Sequence, residues 1–129
     1  MRKHILASMA IACSFAGLAA EPVAQKNLKA LFDAGVKVCF GTDSGGLERP
    51  PGFDEHRELQ LMVTSGLTPL QALKCATQNT AQMLGISNTM GSLAPGKLAN
   101  LIVLDADPSV DINNTQRINS VWIDGKEQK

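Results

Sequence analysis

The stretch VKVCFGTDSGG, residues 36–46, decides the fold because it joins an apolar strand pattern to a carboxylate and a tight turn. Apolar residues at positions 36, 38 and 40 alternate with Lys37 and Cys39, which is typical of a short strand. A helical pattern ending in glycine comes directly before it, and this order favours a βα unit with parallel pairing. Asp43 would then stand at the C-terminal end of the strand, where α/β barrels and sheets keep their active sites.

The pattern alone leaves two interpretations of Asp43 open. The carboxylate can be a metal ligand or a base, with Ser44, Gly45 and Gly46 allowing a tight turn and leaving room for a ligand. It can equally be structural, because aspartate caps turns readily. A phosphate cradle is disfavoured, since the G-x-x-x-x-G-K-[ST] spacing is missing. Asp43 is therefore the main candidate for chemistry, with a structural role as the alternative.

His56 is the second candidate site residue, because it is the one histidine of the sequence beyond residue 20. Its surroundings, DEHRE at residues 54–58, lack the H-x-x-x-H spacing of a zinc site. We interpret His56 as a residue near a helix start that hydrogen-bonds a neighbour.

Composition and the N-terminal segment limit the class of protein. The chain has 129 residues with 12 basic and 12 acidic side chains, and zero net charge argues against a nucleic-acid partner. Residues 1–20 have a basic start, a short apolar stretch and small residues at the end, which is the layout of a signal peptide. We expect an exported protein, periplasmic or extracellular, with no membrane association after cleavage. Cys39 and Cys75 are expected to be small buried apolar residues.

Three helical patterns are present, at residues 22–35, 56–66 and 67–85, each ending in glycine. In the third, Thr68 suits the N-cap, Pro69 the first helical position, and Gln71 completes a capping box. Its predicted buried stripe consists of Leu70, Leu73, Thr77, Ala81 and Leu84. Beyond it, residues 101–104 predict a strand, and INSVWIDGKEQK at residues 118–129 predicts a hairpin that turns at Asp124 and Gly125.

Four segments taken together resemble the C-terminal end of the metal-dependent amidohydrolase superfamily, in its imidazolonepropionase-like and Xaa-Pro dipeptidase-like branch. They are GTDSGG, HRELQLMVTSGLTPLQALKCATQNTAQMLG, GSLAPGKLANLIVLDADP and SVWIDGK, whose order and spacing match across residues 23–126. The resemblance implies an α/β fold, a (β/α)8 barrel beside a small composite β-sandwich. Residues 36–43 would be the eighth barrel strand. The implied division is a signal peptide at 1–20, the end of the barrel at 21–90 and the β-sandwich tail at 91–129.

The resemblance also implies a role for Asp43, which occupies the position of the family's strand-eight aspartate. That residue ligates a divalent metal, expected to be zinc, takes a proton from metal-bound water and passes it to the leaving nitrogen. The chemistry is coherent, because a bound cation lowers the pKa of water and a nearby carboxylate accepts its proton. The implied substrates are small amides, cyclic amides or dipeptides. Ser44, Gly45 and Gly46 would line the substrate loop.

Most of the family's metal ligands have no counterpart here, namely the H-x-H pair of strand one, the bridging residue of strand four and the histidines of strands five and six. A catalytic zinc takes about three protein ligands, and a complete barrel needs about 250 residues. We therefore expect that this chain alone binds no metal and is inactive, as a truncated family member. The alternatives are a complementing subunit that supplies Asp43 to a separate barrel portion, and a non-catalytic exported binding module.

Overall fold

The computed structural model describes residues 21–45 and 51–129. The predicted signal peptide and Gly46 lie outside these residues. The helices are α1 Glu21–Asp33, α2 Asp54–Thr64, α3 Pro69–Lys74 and α4 Thr80–Met83, with a π-helical turn at Cys75–Asn79 between the last two and a 3₁₀ helix at Ile112–Gln116. The strands are β1 Leu101–Leu104, β2 Ile118–Ile123 and β3 Lys126–Gln128. None of the described helices is long and apolar enough to cross a membrane.

The helix starts and ends follow the local sequence signals. Gly35 ends α1 in a left-handed conformation, φ 78°, and its N–H donates to the Phe32 carbonyl at 3.0 Å. At the start of α3, the Gln71 N–H donates to Thr68 Oγ1 at 3.2 Å, and the Thr68 N–H donates to Gln71 Oε1 at 2.8 Å. Pro69 occupies the first helical position. The predicted capping box is thus confirmed, and it satisfies two N–H groups that a helix start leaves without partners.

The predicted buried stripe of the third helix is wrong for most of its members. Leu70 is 64% exposed and Leu84 59% exposed, whereas Ala72 and Cys75 are fully buried. Ala81 is buried as predicted. The prediction assumed one uninterrupted α-helix, but the π-helical turn inserts an extra residue and rotates the residues after it about the helix axis. Which face of α3 is buried is set by its packing on α2, and the apolar pattern does not reveal that contact.

The predicted strand at residues 36–40 is not a strand in the structure. A strand is defined by hydrogen bonds to a neighbouring strand, and no strand lies beside this segment in the described part of the chain. The predicted parallel pairing is likewise not seen there, since both strand pairs are antiparallel. Val38 is nevertheless buried, 6% exposed, so the segment packs into the core without joining a sheet.

The C-terminal part forms a three-stranded antiparallel sheet in the order β1-β2-β3. Leu101 lies opposite Trp122 in its register. Asp124 and Gly125 have φ of 50° and 73°, so two consecutive left-handed residues make the tight hairpin turn that joins β2 to β3. The Asp124 N–H also donates to the side-chain oxygen of Asn100 at 2.6 Å. The predicted strand and hairpin are confirmed.

The core lies between the helices and the 3₁₀ helix. Its buried members are Val38, Leu59, Met62, Leu67, Ala72, Cys75 and Ile112. Cys75 is fully buried, as predicted, and Cys39 is half-buried. Burial raises the pKa of both thiols, so both are kept in the protonated, unreactive form. Val38 connects this core to the segment that carries Asp43.

Candidate functional site

Two side chains of the π-helical turn and α4 hold the segment that precedes Asp43. Asn79 Nδ2 donates to the Val38 carbonyl at 2.8 Å, and the Phe40 N–H donates to Thr80 Oγ1 at 3.2 Å. The Thr80 hydroxyl in turn donates to the Cys75 carbonyl at 2.8 Å. Helix side chains therefore satisfy backbone groups that a neighbouring strand would otherwise satisfy. This arrangement fixes the backbone three residues before Asp43.

Asp43 follows this anchored segment in a left-handed conformation, φ 54°. Only glycine, asparagine and aspartate adopt this conformation with any frequency, because a larger or branched side chain clashes with the backbone. The Asp43 side chain is exposed, and Thr42 and Ser44 on either side of it are half-buried. Gly45, φ 115°, continues the turn. Asp43 is thus an exposed residue between two half-buried ones.

Glu55, in the first turn of α2, binds the residues that flank Asp43. Its Oε1 accepts a hydrogen bond from the Ser44 hydroxyl at 2.6 Å and lies 3.5 Å from Thr42 Oγ1. Its Oε2 accepts from the Gly52 N–H at 2.6 Å. The hydrogen bond from Ser44 is the main reason that the pKa of Glu55 is lowered. The ionised carboxylate therefore binds the turn through Oε1 and the segment before α2 through Oε2.

Among the described residues, His56 belongs to no group of three or more side chains that could hold a metal ion. Its Nδ1 lies 2.9 Å from Thr115 Oγ1, and the Thr115 hydroxyl donates to the Ile112 carbonyl at 2.8 Å. Because that hydroxyl has one proton and gives it to Ile112, His56 Nδ1 is the donor to Thr115. The interpretation of His56 as a residue that hydrogen-bonds a neighbour near a helix start is confirmed. The hydrogen bond between His56 and Thr115 joins α2 to the 3₁₀ helix.

The described residues do not fit a catalytic metal on their own. Among residues 21–45 and 51–129, no three His, Cys, Asp or Glu side chains lie close enough together to hold a metal ion. Catalytic zinc takes about three protein ligands. Asp43 is one carboxylate, and Glu55 is engaged with Ser44 and Gly52. A metal at Asp43 would need ligands from outside the described residues.

Sequence reasoning proposed Asp43 and Ser44 as site residues but missed the residues that hold their segment. Glu55 lies eleven residues from Ser44, and Thr80 lies forty residues from Phe40. Glu55 was visible only as one of several charges near a predicted helix start, and a charge in that place is usually solvated. Thr80 and Asn79 had no signal, because hydroxyl and amide groups in a helix are common and the π-helical turn that aims them is not visible in the pattern.

Comparison with known proteins finds relatives of this chain. The profile of the Amidohydrolase family matches residues 1–127. Ochratoxinase of Aspergillus niger is 36% identical over 114 residues, which cover 82% of this chain and 23% of that protein. Imidazolonepropionase of Geobacillus kaustophilus is 36% identical over 80 residues, 58% of this chain and 18% of that protein. The crystal structure of a Xaa-Pro dipeptidase superimposes with a TM-score of 0.75 at 31% identity.

The superposition on the dipeptidase covers 84% of this chain and 26% of the dipeptidase chain. This chain therefore spans about a quarter of that structure and of ochratoxinase. The family match, by contrast, extends over nearly all of its own residues. The chain belongs to the amidohydrolase family.

Proposed function

We propose that this chain is the C-terminal portion of an amidohydrolase that cleaves a carbon–nitrogen bond in a small amide or dipeptide, and that Asp43 is its catalytic carboxylate. The observation that carries the proposal is the similarity to a Xaa-Pro dipeptidase at a TM-score of 0.75, over 84% of this chain. The anchoring of the segment before Asp43 and of the turn that contains this exposed residue supports it. Ser44, Gly45 and Gly46 form the adjacent substrate loop. The chain by itself turns over no substrate.

The chemistry assigned to Asp43 is proton transfer. An exposed carboxylate at the end of a fixed segment can accept a proton from an attacking water and return it to the leaving nitrogen. Members of this family generally use divalent metals, which supply a more acidic bound water. Here the described residues provide one carboxylate, so the remaining ligands would come from the rest of the enzyme. What this chain contributes is the position of that carboxylate.

In this proposal residues 36–43 correspond to the last strand of a barrel, the helices lie on its outside, and the β1–β3 sheet belongs to a composite β-sandwich. Exposed apolar side chains support the assignment. Leu70, Leu93 and Val110 are 64%, 82% and 79% exposed. Covering these three side chains with the rest of a barrel would remove apolar surface from water, which favours the assignment. The missing strand partners of residues 36–40 would come from the same source.

A second candidate is a complementing subunit, in which the rest of the barrel is a separate chain. The same exposed side chains favour it, because they leave this chain with apolar surface to bury. Co-expression with a chain that carries the H-x-H pair separates the two arrangements. A stable complex with hydrolase activity supports the subunit, and failure to associate supports a single longer enzyme.

A chimeric enzyme tests the proposed function. Residues 23–126 replace the matching part of the Xaa-Pro dipeptidase, and hydrolysis of a proline dipeptide is measured with Asp43, with Asp43→Asn and with the control Asp54→Asn. We expect activity with Asp43 and a loss of about a hundredfold or more in Asp43→Asn, because general acid–base transfer contributes that much. Asp54→Asn removes a charge from α2 and should keep activity. Full activity in Asp43→Asn would contradict the role.

A further inference from the structure

We infer that Glu55 is a positioning residue, whose carboxylate holds Asp43 in place by clamping the turn around it to the start of α2. The inference rests on the proposed function for the importance of Asp43. It goes further because it assigns a role to a residue of another element, eleven positions from the nearest residue of the turn that it binds.

The two oxygens of Glu55 bind two different parts of the chain. Oε1 accepts from the Ser44 hydroxyl and Oε2 from the Gly52 N–H, both at 2.6 Å. Both distances are short, as expected when the acceptor is ionised. A carboxylate that is bound at both oxygens has a fixed plane, and it links residue 44 to residue 52. Asp43 is the residue next to one end of this link.

The turn has its own bond, which Glu55 reinforces. The Ser44 N–H donates to Thr42 Oγ1 at 3.2 Å, across Asp43, and the same Thr42 oxygen lies 3.5 Å from Glu55 Oε1. Thr42 and Ser44 therefore close around Asp43 and face Glu55 together. Asp43 lies inside this closure in a left-handed conformation, φ 54°.

The clamp is attached to the rigid part of the molecule. Glu55 is the second residue of α2, and α2 inserts Leu59 and Met62 into the core at 8% and 2% exposure. The N-cap residue Phe53 makes no side-chain cap bond. Glu55 instead binds the Gly52 N–H beside the helix start, and its other oxygen binds Ser44. Because α2 is anchored by its buried side chains, a hydrogen bond to Glu55 fixes the turn relative to the core.

Amide hydrogen exchange followed by NMR on the full chain tests the clamp. The variant is Glu55→Ala, and the matched control is Asp54→Asn, which removes a charge from the same helical turn. We expect exchange at Gly52 and Ser44 to accelerate by about tenfold or more in Glu55→Ala. The Gly52 N–H loses its hydrogen bond to the charged carboxylate, and the Ser44 N–H, which donates to Thr42, loses the support that Glu55 gives to the turn. The core amide of Met62 should keep its rate, and Asp54→Asn should match the wild type.

Unchanged exchange at Gly52 and Ser44 in Glu55→Ala overturns the inference. Equal acceleration at Met62 overturns it as well, because that result means general destabilisation. If Glu55→Ala does not fold, Glu55→Gln retains the size of the side chain and is measured in the same way. Glu55→Asp, which keeps the charge on a shorter side chain, should restore part of the protection.

Activity gives a second readout in the chimeric enzyme. Glu55→Gln should lower kcat about tenfold with KM nearly unchanged, since the carboxylate touches no substrate and acts through the position of Asp43. Unchanged kcat overturns the positioning role. An inactive chimera with wild-type residues 23–126 is a failure of the proposed function, whereas the exchange rates still decide whether Glu55 holds the turn.

Discussion

Thr80→Val should destabilise the protein without changing the shape of the side chain. The Thr80 hydroxyl accepts from the Phe40 N–H at 3.2 Å and donates to the Cys75 carbonyl at 2.8 Å. Valine replaces the hydroxyl with a methyl group of similar size. Both hydrogen bonds are then lost, and the Phe40 N–H is left without that acceptor in a half-buried position.

The expected loss is about 2 kcal/mol of unfolding free energy. Each hydrogen bond contributes about 0.5–1.5 kcal/mol net, so two give about 1–3 kcal/mol. For a chain of 129 residues, a change of about 1 kcal/mol shifts Tm by roughly 3–5 °C. The midpoint of thermal unfolding should therefore fall by about 6–10 °C. The added methyl group lies beside polar backbone atoms and offsets little of this.

Urea and thermal unfolding followed by circular dichroism measure the effect. Thr80→Ser is the matched control, because it keeps the hydroxyl and removes the methyl group. The serine variant should be closer in stability to the wild type than the valine variant. Wild-type stability in Thr80→Val, or equal losses in both variants, would refute the reasoning that Thr80 holds the segment before Asp43.

Further predictions concern stability, pH, metal and export. Gly91→Ala should cost about 2–4 kcal/mol, because Gly91 has φ 86° and an added Cβ would lie 2.4 Å from the Ala81 Cβ. Gly85→Ala, φ 74° with open space around it, should cost only the backbone strain of about 1–2 kcal/mol, and equal urea midpoints would contradict this. The pKa of Glu55 is lower in the folded protein than in the unfolded chain, so the unfolded chain binds more protons. The stabilisation of the folded state by Glu55 is therefore present above the ordinary pKa of 4.5 and is lost as pH falls through the lowered pKa of the folded protein. Urea midpoints against pH should show this fall in the wild type and a weaker one in Glu55→Gln; identical profiles would count against it. Zinc calorimetry on this chain should show no tight stoichiometric site, since a catalytic zinc needs about three ligands, and a one-to-one isotherm with micromolar or tighter affinity would exclude this. Mass spectrometry of periplasmic protein should find a mature chain that begins near residue 20 or 21, and an intact residue 1 there would rule the signal peptide out.

The sequence by itself determined the features that depend on near neighbours. The capping box of Thr68 and Gln71 and the turn at Asp124 and Gly125 were predicted and are present. Each consists of hydrogen bonds or backbone angles within four residues, so the residue types are sufficient to specify it. The family motifs belong to the same kind of information, because order and spacing along the chain identify them. Asp43 was a candidate because it follows a strand-like pattern and because it lies in one of these motifs.

Only the tertiary structure decided which surfaces meet. The pattern favoured burial of Leu70, but the π-helical turn and the packing on α2 bury Ala72 and Cys75 instead. A strand was predicted at residues 36–40, yet a strand requires a neighbour, and helix side chains take that place. The contact of Glu55 with Ser44 joins residues eleven positions apart. Such contacts depend on how elements pack in space, and a one-dimensional pattern does not contain that information.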